Sequence, residues 1–116
     1  ESAVADSLEE NVEIIEAGYE FLLAYAAQGR EDDAGSEVRE TLIGMLNATT
    51  AIADMLVPEK EGFSPVVVDD ARKSHAAISL VLTQKKISSE LIDNLNASIH
   101  LRALLTDLFL LSEINS

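Results

Sequence analysis

The chain has 116 residues, 47% of them apolar and 25% charged, with 21 acids against 8 bases and no cysteine. That apolar share excludes a disordered chain, and the absent cysteines exclude disulfides, thiolate metal sites, iron–sulfur clusters and a cysteine nucleophile. A net charge of −13 repels nucleic-acid phosphates and anionic lipid headgroups, so neither nucleic acid nor a membrane surface is an expected partner.

The first helix is expected over Asp6 to Gln28, with a core stripe of Leu8, Val12, Ile15, Tyr19, Leu22 and Ala26 at helical spacing. Gly29 ends it, and Arg30 to Gly35 form a charged loop. The second helix, Glu37 to Val57, starts after Ser36 as N-cap and carries Val38, Leu42, Met45, Thr49, Ile52 and Leu56. Pro58 stops it, and Phe63 is expected to fold back as a plug. Ser64 as N-cap and Pro65 as first helical residue open a third helix to Lys85, with Val67, Ala71, Ser74, Ile78 and Val81 or Leu82 on its stripe. Ser88 or Ser89 caps a fourth, unbroken to Ser112, with Leu91 or Ile92, Leu95, Ile99, Arg102, Leu105 and Phe109 facing the core. Short connections make neighbours antiparallel, so residues 1–116 read as one all-α domain, an up-down-up-down four-helix bundle. An offset of 53 pairs Ser36 with Ser89, Leu42 with Leu95, Thr49 with Arg102, Asp54 with Asp107 and Met55 with Leu108, so the bundle is read alternatively as two repeated helical hairpins.

Helix four carries more apolar surface than one core face needs. Ala97, Leu101, Leu104, Leu108 and Leu111 recur on nearly the opposite side, and Ile14, Gly18, Phe21 and Tyr25 do the same on helix one. First and last helices are neighbours in this topology, so the two extra stripes are expected to merge into an interface for a homodimer or another protein partner. Tyr19, Thr49, Ser74 and Arg102 fall at core-stripe positions of similar height and suggest a polar layer, the one candidate small-ligand site.

No Gly-rich phosphate loop, nucleophile elbow or inward Glu-x-x-His pair is present, so the chain is read as a non-enzymatic protein without metal or cofactor. No apolar run approaches the ~18 residues of a membrane span and no signal peptide is visible, which gives a cytoplasmic expectation. The run Leu104 to Ile114, with Ser74-His75 before it, resembles the dimerisation hairpin of sensor histidine kinases over residues 74–114. The resemblance implies His75 as a phosphoacceptor in a two-component system. The motif departs from that family at Ala76, where an acidic residue follows the histidine. It departs from the phosphotransfer bundles at Ile78 and Ser79, where those carry Lys and Gly.

Overall fold

The computed structural model describes residues 7–115, which form five α-helices and, among the described residues, no strand. They are α1 (Leu8–Ala26), α2 (Val38–Leu56), α3 (Ser64–Leu82), α4 (Ser89–Ala97) and α5 (Ile99–Asn115). Each boundary has a local cause. Ser7 and Glu10 form a reciprocal capping box at the start of α1. At α2 the N-cap position falls on Glu37, which makes no side-chain cap bond, rather than on the expected Ser36, whose Oγ accepts the Val38 N–H at 3.1 Å. Ser88 Oγ accepts the Leu91 N–H and opens α4. Gly29, Gly35 and Gly62 hold positive φ between the helices, where a side chain would be strained.

α2 packs against α1 on one side and α3 on the other, α4 packs against α1, and α5 packs against α3. Leu22, Met45, Ile52, Ile78, Ile92 and Leu104 meet in the common core with no exposed surface. α1 and α2 approach so closely that a Cβ on Gly18 would lie 2.5 Å from Met45 Cγ. Two loops are tied together at one end. Arg39 bonds Asp33 through Nε at 2.7 Å and donates to the carbonyls of Leu82, Gln84 and Lys85 at the end of α3. Asp33 also accepts the Ile87 N–H, and that bond with the Arg39 guanidinium holds its carboxyl below the usual carboxylate range. The backbones of Arg30 and Ser89 are joined directly, Ser89 N–H donating to the Arg30 carbonyl at 2.9 Å.

The fourth segment differs from its expected form. Instead of one rod it breaks at Ser98, whose φ of −65° and ψ of 139° are extended. Ser98 closes α4, and its hydroxyl then faces the Leu101 N–H at 3.5 Å, the N-cap position of α5. The residue removed from helical winding resets the phase. Ile92 and Leu95 face the core before the break; Leu101, Leu104, Leu105 and Leu108 face it afterwards. The correspondence at an offset of 53 ends there too: Leu42 and Leu95 are both buried, whereas Thr49 is buried and Arg102 exposed. Phe63 is 37% exposed rather than folded inward, and Ser64 instead donates its hydroxyl to Glu59.

Candidate functional site

Half of the expected interface is core. Leu101, Leu104 and Leu108 have no exposed surface, and Tyr25 has 1%. The cause is the break at Ser98, which turns their stripe inward and turns Ile99, Arg102 and Phe109 of the stripe assigned to the core outward, while Leu105 stays buried. Ile14, Phe21 and Leu111 are half-buried and pack against the core; Ala97 is exposed. Tyr25 is sealed in the loop knot, where its hydroxyl donates to the Ile87 carbonyl at 2.5 Å and Arg30 lies over its ring at 5.4 Å. Burial raises its pKa. No merged face of α1 and α5 forms, because α1 packs on α2 and α4 and hardly on α5.

The polar layer does not assemble either. Arg102 is exposed. Thr49 donates to the Leu46 carbonyl one turn back at 2.7 Å, and Ser74 donates to the His100 carbonyl at 3.0 Å. Both hydroxyls are thus satisfied by backbone, Thr49 within its own helix and Ser74 across to the first turn of α5. Tyr19 is half-buried. His75 is half-buried and lines an open groove of about 280 Å³ between α2 and α3 with Thr50, Asp54 and Arg72. Among the described residues no group of three or more His, Asp or Glu is placed to hold a metal ion, and no helix is long and apolar enough to cross a membrane.

What the break leaves outside is a different apolar face. Ile99 is 74% exposed, Phe109 55%, Leu110 49% and Ile114 76%. At about 100° per residue, Ile99, Ala103, Leu110 and Ile114 line one side of α5, opposite Leu104 and Leu108. Ala97, Ile99, Arg102, Ala103 and Thr106 border a shallow depression of about 380 Å³ on that side. In a chain of net charge −13, the 17 residues of α5 hold only Arg102, Asp107 and Glu113 as charged groups. The sequence carried a signal for this. It is Ser98, a cap-forming residue that stands where the buried stripe changes phase from Leu95 to Leu101.

One buried acid was not anticipated. Asp107 is 6% exposed and meets Asp70 of α3, and its Oδ2 has no hydrogen-bond partner. Burial, reinforced by the Asp70 carboxyl, pushes its pKa up to about 7. Correct phasing of α5 would have placed it beside the Leu104–Leu108 stripe; read on an unbroken helix, it fell outside. Comparison with family models, with curated proteins and with solved structures returns no match for this chain.

Proposed function

We propose that this chain is a non-enzymatic protein-interaction module, a four-helix bundle with its last rod broken, that pairs with a second copy through the outer face of α5. The observation that carries the reading is the exposure of Ile99, Leu110 and Ile114 on the side of α5 turned away from the core, with Phe109 exposed on its flank. Water-exposed apolar surface gathered on one helix face is the usual mark of an interface. The face is also self-complementary. Two antiparallel copies centred between Thr106 and Asp107 set Ile99 against Ile114 of the other copy, and small Ala103 against Leu110. That is the pattern a two-fold pair requires. α5 is about 26 Å long at ~1.5 Å per residue, so the contact is smaller than a standard interface of ~1,600 Å², and a dissociation constant on the order of 100 µM is expected. The lack of cysteines suits a reducing compartment, and the cytoplasm is the proposed location.

Sedimentation velocity from about 1 to 500 µM tests this, a range set around the affinity expected of a small interface. Wild type should dimerise, and the double change Ile99→Glu with Leu110→Glu should leave a folded monomer. Added salt should strengthen the dimer, because each copy carries −13. A monomer throughout, or a dimer that the double variant retains, would overturn the reading. A second reading keeps His75 as phosphoacceptor: it shares its groove with Arg72, whose guanidinium would meet a phosphoryl oxygen. Acid-labile label on His75, absent from His75→Gln, is the check.

A further inference from the structure

Carboxylic acids sealed between helices are normally paired with a cation or with several N–H donors, because burying a bare carboxylate is costly. Asp107 has neither. It sits on the α3-facing side of α5, one oxygen unpartnered, with the carboxyl of Asp70 within hydrogen-bonding reach. Two carboxyls can hydrogen-bond to each other only if one of them holds a proton. Charged neighbours do not change this. On α3, Lys73 turns its ammonium to Asp69 at 3.0 Å and Arg72 lies in the groove on the α2 side. On α5, Arg102 is exposed, as are Glu90 and Asp93 of α4, and α1 meets α5 only marginally. Among the described residues no cation forms an ion pair with either member.

We infer that Asp70 and Asp107 form a proton-controlled latch that seats α5 on α3, closed while the pair holds one proton and weakened when both carboxylates are charged. In the closed state the protonated acid donates to the other across the helix interface. Loss of that proton to solvent breaks the O–H···O bond and leaves two like charges facing each other in a poorly solvated seam. The Ser74 bond to the His100 carbonyl, at 3.0 Å, holds the first turn of α5 and does not depend on pH in this range. Release therefore begins at the C-terminal half of the helix, which also carries Phe109, Leu110 and Ile114. The latch stands whether or not that face pairs with a second copy.

The test combines carboxyl carbon NMR with native-state hydrogen exchange on the whole chain at low micromolar concentration. The Asp107 carboxyl should titrate near pH 7, as its burial requires, rather than near the ~4 of a free aspartate. With about 7 for docked α5 and ~4 for released α5, the opening constant should rise about 30-fold between pH 5.5 and 8, after correction for intrinsic exchange. Asp107→Asn should abolish that rise. Asp70→Asn, at a half-buried position less costly to change, should lower the Asp107 midpoint and shrink the rise. An Asp107 carboxyl that titrates near 4, or an undiminished rise in Asp107→Asn, would overturn the latch.

Discussion

Truncating Leu104 and truncating Leu110 to alanine should have very different costs, although the two leucines stand six residues apart on the same helix. Leu104 has no exposed surface, so Leu104→Ala loses the transfer energy of the removed carbons and leaves a cavity, about 2.7–5 kcal/mol. Leu110 is 49% exposed, and its truncation should cost under about 1 kcal/mol. At ~2.1 cal/mol/K of unfolding entropy per residue, a chain of 116 residues gains about 0.24 kcal/mol per degree. Leu104→Ala should therefore lower the melting temperature by roughly 11–20 °C and Leu110→Ala by less than about 4 °C. Circular dichroism melts at about 5 µM, where a weak dimer is dissociated, read both values. Equal costs, or a Leu104→Ala variant within about 3 °C of wild type, would refute the phase assigned to α5.

Other substitutions probe the packing and the charges. Gly18→Ala should destabilise by about 1–3 kcal/mol, because its Cβ would enter the space of the buried Met45 side chain. Gly44→Ala, whose Cβ meets nothing, should stabilise by about 0.5–1 kcal/mol; chemical denaturation measures the pair. Asp33→Ala removes the Arg39 bridge and the acceptor for the Ile87 N–H, and should cost about 1–3 kcal/mol. The two shifted acids give stability opposite slopes with pH. The lowered pKa of Asp33 means its contribution is present above ordinary aspartate values and fades as pH falls through them. Asp107, raised from 3.8 to about 7, favours the folded state fully only below 3.8, and that advantage is lost as pH rises toward 7. The full shift corresponds to about 4 kcal/mol, and screening at the half-exposed Asp70 reduces the expected loss to about 1–3 kcal/mol. Stability should thus peak near pH 4, where the two slopes meet, and Asp107→Asn should flatten the alkaline limb of a melting-temperature profile.

The first three helices were legible because their signals are local. Heptad-like stripes, Pro58, Ser64-Pro65 and the positive-φ glycines act within a few residues of the boundaries they set. The stripes assigned to α2 and α3 are buried, Leu42 and Val67 among them; on α1, Val12, Ile15 and Leu22 are buried as assigned, while Leu8, Tyr19 and Ala26 are half-buried and Tyr25 of the other stripe is sealed. The last segment was misread because both of its faces are apolar, so hydrophobicity alone does not say which one turns inward. Ser98 settles that, and although serine favours helix caps over helix interiors, one serine between two apolar stripes does not by itself mark a break. From there the error propagates: Leu101, Leu104 and Leu108 exchange roles with Ile99 and Phe109, Arg102 moves to the surface, and Asp107 moves into the seam. Contacts between distant segments left no local trace. Arg39 serving the end of α3 and Asn96 Nδ2 donating to the Leu22 carbonyl at 3.2 Å belong to this class.

A chain without cysteine permits a direct trial of the proposed pairing. Thr106 is exposed and lies at the centre of the antiparallel arrangement, so Thr106→Cys brings two identical thiols together across the two-fold axis. Under mild oxidation at concentrations where the dimer forms, Thr106→Cys should convert rapidly to a covalent dimer, while Ala24→Cys on exposed α1 surface should cross-link only at the slow rate of random collision. Equal rates for the two variants, or no covalent dimer from Thr106→Cys, would contradict the account.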